Sequence, residues 1–179
     1  MDFRHLGHYV QDFQSGGETL IRTSVRSPVL ITRELAADTI DESSADDTQF
    51  MSRPLVDLTL DDGLDPSPFV ANQVLPIKKR LGGAFPDRIG IGRSDNVDVR
   101  IPLAQVSKYH AYFSMTWEGL WQITDAGSTN GTFVGALRLG KLEHALLDDG
   151  AIVTLGPYRF TFHSKDGFLD VVRGRVNTA

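Results

Sequence analysis

The sequence predicts an all-β fold, a sandwich or barrel of short strands, preceded by an N-terminal extension with one short helix. Three observations lead there. Short β-rich runs recur from residue 69 onward, Gly- and Asn-containing turns separate them, and the N-terminal part has a different, acidic composition. A chain of 179 residues can bury one good core, or a modest core beside a small companion.

Phe3, Leu6, Tyr9, Val10 and Phe13 recur at helical spacing, with Asp2 as N-cap and Gly16 and Gly17 as a stop, so a helix is expected over 3–14. Residues 28–32 (PVLIT) are a short β-rich run, and 39–47 (TIDESSADD) read as an acidic linker. Residues 55–60 (LVDLTL) alternate like a half-buried strand, and 61–68 (DDGLDPSP) end it. Residues 1–73 are therefore expected to form an extension draped over the main domain.

Strands are expected at 74–79, 88–92, 99–101, 110–117, 120–125, 132–134, 151–155, 158–163 and 169–172. Residues 117–120 (WEGL) read as a tight hairpin, since Gly119 takes a positive φ at little cost. In 158–163 (YRFTFH), Tyr158, Phe160 and Phe162 share one face. Ile89 and Ile91 alternate with Gly90 and Gly92, a strand that delivers Arg93 to its end.

Composition narrows the function. Residues 1–75 hold thirteen Asp/Glu against five Arg, so the rest of the chain is net positive although the total is −5. That excess suits an anionic ligand, but no basic stripe points to nucleic acid. The absence of cysteine removes disulfides and thiolate metal sites and fits a reducing compartment. There is no apolar run of about 18 residues for a membrane span and no secretory leader pattern, so a cytoplasmic protein is expected.

Catalysis finds little support. Ser107, His110 and Asp125 could suggest a hydrolytic triad, but no nucleophile-elbow motif accompanies them. His5 and His8 could share a helical face, yet they lack acidic or sulfur co-ligands, and His110, His144 and His163 are dispersed. Gly82, Gly83, Gly90 and Gly92 form no phosphate-loop signature. Neither an enzyme, nor a metal site, nor a cofactor is expected.

Phosphate recognition without transfer fits better. Arg93 can grip an anion bidentately, Lys108 adds a flexible charge, and Ser107, Thr129 and Asn130 offer hydrogen-bonding groups on loops. His110, between Tyr109 and Ala111, reads as a partly buried prop for its loop rather than a direct ligand.

These residues lie in a pattern: Gly92, Arg93 and Ser94; then residues 106–111 (VSKYHA); then 125–134 (DAGSTNGTFV); and later 147–150 (LDDG) and 152–156 (IVTLG). In this order they closely resemble the forkhead-associated, or FHA, family. The resemblance implies an FHA-like eleven-stranded β-sandwich at residues 74–165, with 1–73 as an N-terminal extension and 166–179 as a C-terminal strand or tail. It implies that Arg93 and Ser107 hold the phosphate of a phosphothreonine in a partner protein, with Lys108 and Thr129 near it and Asn130 on peptide backbone. Gly92, His110 and Gly131 become supports of the site.

Two departures stand out. Gly135 and Ala136 replace an Asn–Gly pair common in the family, and Lys108 replaces a frequent arginine, keeping the charge but losing the planar fork. The expected function is phosphothreonine-dependent protein binding, with a serine/threonine kinase or its substrate as partner. The alternative is a structural or phosphate-independent interaction module on the same sandwich. Thr39, Thr48 and Thr59 lie in or near acidic stretches, so a phosphorylated N-terminal segment could also serve as ligand for self-association.

Overall fold

The computed structural model describes residues 3–33, 71–82 and 85–178. Two sheets face each other, one of seven strands in the order β1-β3-β2-β12-β11-β8-β9 and one of five in the order β10-β7-β6-β4-β5. The first sheet contains β1 (Arg4–His5), β2 (Val29–Thr32), β3 (Gln73–Pro76), β8 (Thr132–Val134), β9 (Leu137–Leu139), β11 (Ile152–Leu155) and β12 (Tyr158–His163). The second contains β4 (Ile89–Gly92), β5 (Val99–Arg100), β6 (Ala111–Met115), β7 (Trp121–Asp125) and β10 (His144–Leu146). Helices α1 (Leu6–Ser24) and α2 (Lys165–Asn177) complete the described elements.

Alternation explains the core. Leu30, Leu75, Leu155, Phe160 and Phe162 from one sheet meet Ile91, Phe113 and Ile123 from the other, all fully or almost fully buried. A period of two leaves alternate residues on the opposite face. In β2 that face is buried as well: Val29 and Ile31, with Val74 of β3, pack against Leu6, Tyr9 and Ile21 of α1 and Phe168, Leu169 and Val172 of α2. The Tyr9 and Phe168 rings meet edge to face at 5.2 Å, a favoured aromatic geometry. The molecule is a two-sheet sandwich with a helical layer on the seven-stranded sheet. Glu18 links the helices by ion pairs to Arg22 at 2.7 Å and Arg173 at 2.9 Å, and Arg22 reaches Asp166 at 2.9 Å. These pairs are exposed, so the apolar contacts do most of the stabilising.

The structure revises the expected outline. Twelve strands and two helices are present among the described residues, not the eleven of an all-β sandwich. Instead of a helix over 3–14, residues 4–5 pair with β3, and α1 begins at Leu6 with the His5 imidazole accepting from the Gly7 N–H at 3.1 Å. Gly16 and Gly17 do not end it. Gly17 takes φ 65°, kinks the backbone, and the helix resumes to Ser24.

The C-terminal strand or tail expected at 166–179, including a strand at 169–172, is helix α2. The Ser164 hydroxyl caps it by accepting from the Gly167 N–H at 3.1 Å, and Phe168, Leu169 and Val172 share its buried face. The run at 28–32 is β2, a central strand between β3 and β12, with Leu30 opposite both Leu75 and Phe162. Sheet pairing therefore reaches into the segment assigned to the extension. The acidic linker at 39–47, the strand expected at 55–60, the Asp2 cap, and Thr39, Thr48 and Thr59 lie outside the described residues. Gly119 takes the expected positive φ of 83°, with the Thr116 N–H donating to the Leu120 carbonyl at 2.8 Å.

Candidate functional site

Three connections meet at one end of the sandwich: residues 93–98 after β4, 101–110 before β6, and 126–131 between β7 and β8. Main-chain bonds fix the first two together. The Arg93 N–H donates to the Ser107 carbonyl at 2.9 Å, the Ser94 N–H to that of Lys108 at 3.1 Å, and the His110 N–H to that of Ile91 at 2.9 Å. Gly92 is required by this approach, because a Cβ there would collide with the Lys108 carbonyl oxygen and lie 2.9 Å from that of Ser107.

The third connection is tied to the second through side chains. Ser107 Oγ accepts from the Thr129 N–H at 3.0 Å and lies 3.4 Å from Thr129 Oγ1. Asn130 Nδ2 donates to the Gln105 carbonyl at 2.8 Å and to Gln105 Oε1 at 3.0 Å. Arg93 stands half-buried at the end of β4, while Lys108, Thr129 and Asn130 are exposed. The fold thus gathers Arg93, Ser107, Lys108, Thr129 and Asn130 on adjoining loops.

His110 is the fastener beneath them. It is fully buried, its Nδ1 accepts from the Ser107 N–H at 3.0 Å, and its Nε2 lies 3.0 Å from the Gly131 carbonyl. This pairing assigns the proton to Nε2 and requires a neutral ring. Gly131, at φ 86°, also accepts from the Gly156 N–H at 3.0 Å, so one carbonyl joins the histidine to the start of β8 and the turn after β11. Both ring nitrogens are committed to backbone, and neither touches Ser107 Oγ. The considered triad is not assembled: Asp125 is engaged elsewhere.

Asp125, 3% exposed, organises the 126–131 turn. One carboxylate oxygen accepts from the N–H groups of Gly127 at 2.7 Å and Ser128 at 3.0 Å; the other accepts from the hydroxyls of Ser128 at 2.5 Å and Thr132 at 2.7 Å. Burial pushes its pKa up, but these donors outweigh burial and hold it below the ordinary carboxylate range. Its organising role was missed in the sequence, as were Gln105 behind Asn130 and Gly156 behind Gln105. For Asp125 a signal existed, since Asp followed two residues later by Gly is the Asx-turn pattern. No local pattern marks Gln105.

The departure at Gly135 and Ala136 falls in the turn joining β8 to β9, where Gly135 has φ 58°. That turn is at the far end of β8 from Gly131. Among the described residues there is no group of three His, Cys, Asp or Glu side chains that could hold a metal ion, and no helix is long and apolar enough to cross a membrane.

Burial lowers the His110 pKa more than the Gly131 carbonyl and Asp125 raise it. A depressed histidine pKa means that the unfolded chain binds the proton more readily, so stability falls as pH drops below about 6.5. Buried His163 shifts the same way, chiefly by burial. Denaturant titrations between pH 7 and pH 5 are expected to show declining stability, and a His163→Gln variant should retain the part due to His110. A flat profile in that variant would remove the neutral-ring assignment.

A family model described as FHA domain matches residues 89–156. The chain is 39% identical over 84 residues to the ABC transporter ATP-binding/permease protein Rv1747 of Mycobacterium tuberculosis, a match that covers 46% of this chain and 9% of that protein. The NMR-based structure of the FHA-2 domain from the same transporter is 38% identical, covers 48% of this chain and 76% of that one, and has a TM-score of 0.38. Mycobacterium tuberculosis EmbR in complex with a low affinity phosphopeptide is 25% identical, covers 52% of this chain and 22% of that one, and has a TM-score of 0.43.

Proposed function

Residues 89–156 of this chain are those of an FHA domain, and from that premise we propose that the chain is a phosphothreonine-dependent protein-binding module acting in serine/threonine kinase signalling. The observation that carries this reading is the convergence of Arg93 and Thr129 on Ser107, through the Arg93 N–H on the Ser107 carbonyl and the Thr129 N–H on Ser107 Oγ. A phosphate has three strong acceptor oxygens and about two negative charges, so it is met best by a guanidinium, a hydroxyl and main-chain N–H groups held in advance.

In this reading Arg93 and Ser107 contact the phosphate directly, with Lys108 and Thr129 beside it. Asn130, whose Nδ2 is engaged by Gln105, turns its remaining amide oxygen to peptide backbone. Gly92, His110 and Gly131 act by holding the loops. The partner is a phosphothreonine-bearing protein, a kinase or its substrate, met in the cytoplasm; Thr39, Thr48 or Thr59 of another copy, once phosphorylated, presents the same chemistry.

Calorimetric titration with matched peptides carrying phosphothreonine, phosphoserine or threonine tests the reading. Only the phosphothreonine form is expected to bind well, and Arg93→Ala should weaken it by about 2–3 kcal/mol through loss of a charge-assisted contact. Equal affinity for the phosphorylated and plain peptides would favour the phosphate-independent module instead.

A further inference from the structure

We propose that Arg138 and Lys141 form a second anion-reading element beside the 126–131 loop, selecting phosphothreonine ligands that carry acidic side chains near the phosphorylated residue. This rests on the reading of the phosphate site given above. The loop has two sides. Thr129 and Asn130 engage residues 105–107, as described. Its glycines are approached by two cations: a Cβ on Gly127 would lie 3.3 Å from Cδ and Cε of Lys141, and one on Gly131 would lie 3.2 Å from Nε of Arg138. Both basic side chains therefore lie against the loop that presents Thr129 and Asn130.

Neither cation is neutralised among the described residues. Arg4, Arg22, Lys79, Arg88, Arg100 and Arg173 have carboxylate partners within 3 Å, whereas Arg138 and Lys141, like Lys108 of the site itself, have none. Arg138 rests over the Phe133 ring at 5.8 Å, which orients the guanidinium without cancelling its charge. Glu143, in the same turn as Lys141, accepts from the Gly140 N–H at 2.7 Å and makes no ion pair with either cation, so the two cations and this carboxylate leave one net positive charge. The Asp125 carboxylate is enclosed by its own four donors.

The turn bearing Lys141 is held to the site by main chain. The Leu142 N–H donates to the Asp125 carbonyl at 2.9 Å, and the Asp125 N–H donates to that of Glu143 at 3.1 Å. Leu142 has φ 66°, a left-handed conformation unusual for a branched residue, and is 62% exposed. Such backbone persists where its surroundings over-determine it. Leu142 thus shapes the turn that carries Lys141, and the two main-chain bonds hold that turn to Asp125. Because the whole chain carries −5, a preference for acidic peptides needs a local positive field, and these two residues supply one next to the peptide-facing loop.

The test titrates the full chain with a phosphothreonine peptide flanked by alanines and with versions carrying Asp or Glu on either side. Wild type should bind the best acidic version about fivefold more tightly at low salt, an advantage that shrinks near 1 M salt. The Arg138→Gln, Lys141→Gln double variant should lose that preference yet keep its affinity for the alanine-flanked peptide within about twofold. Reversing both charges to Glu should turn the preference toward lysine flanks. Equal wild-type affinity for neutral and acidic peptides overturns this inference alone, as does an acidic preference that survives charge reversal. Failure of wild type to bind any phosphothreonine peptide overturns the underlying reading and this inference with it.

Discussion

A chain beginning at residue 73 is expected not to fold. Such a truncation removes β1, α1 and β2, and β2 lies between β3 and β12 in the seven-stranded sheet. Val29 and Leu30 are fully buried and Ile31 nearly so, and each such side chain is worth about 1.5–3 kcal/mol on burial. Their loss alone approaches the net stability of a small domain, about 5–15 kcal/mol. The deletion also strips the ladder partners from the facing edges of β3 and β12 and uncovers Phe168, Leu169 and Val172 on α2. Circular dichroism and amide-proton dispersion should report a collapsed or unfolded chain where residues 1–179 give a cooperative melt. A truncated protein melting at the full-length temperature would mean that β2 contributes little to the sheet.

His110→Ala is expected to cost about 3–5 kcal/mol of stability and to weaken phosphopeptide binding as well. The substitution leaves the Ser107 N–H and the Gly131 carbonyl short of a partner, at about 1–3 kcal/mol for each group that stays buried, and opens a cavity where a fully buried ring stood. Arg93→Ala makes the informative contrast, because a half-buried side chain at a strand end should leave the melting temperature close to that of wild type while binding falls. Binding by the histidine variant is measured well below its lowered melting point, so that unfolding does not mimic loss of affinity. Wild-type affinity in a folded His110→Ala protein would show that Ser107 is presented without the imidazole.

The contrast between these residues tracks what the sequence displayed. Strands β6, β11 and β12 were legible because buried and outer residues alternate along them, and β4 and β7 as short runs bounded by turn residues, although consecutive residues are buried in both. Strands β9 and β10 were not: both are edge strands, their residues are mostly exposed, and Leu137, Arg138 and Leu139 carry little signal of a buried face. In α2 the short run of Leu169, Asp170, Val171 and Val172 looked like a strand, while its helical face depends on α1, distant in sequence. The same distance obscured only where β2 sits: residues 28–32 read as β-rich, but the partners β3 and β12 that make it a central strand lie about 40 and 130 residues further on.

At the candidate site, residue type and order singled out Arg93, Ser107, Thr129 and Asn130, which the fold brings onto adjoining loops. The supports were uneven. His110 and Gly92 showed themselves by position within the motifs, and the collision that a Cβ on Gly92 would make with Lys108 supplies the reason for glycine there. Asp125 was considered only as part of a triad, because its donors on Gly127, Ser128 and Thr132 come together only once the turn it organises has formed. Gln105 reaches Asn130 across 25 residues, a contact that only the folded loops define.

The neighbours β2 and β3 also bear on how the chain folds. They lie side by side, with the Asn72 N–H on the Thr32 carbonyl at 2.9 Å and the Gln73 N–H on Thr32 Oγ1 at 2.8 Å, although about 40 residues separate them in the chain. Strands so far apart in sequence pair only once the chain has closed on itself over that distance. Contacts of such high sequence separation slow folding relative to the local hairpins β6–β7 and β11–β12.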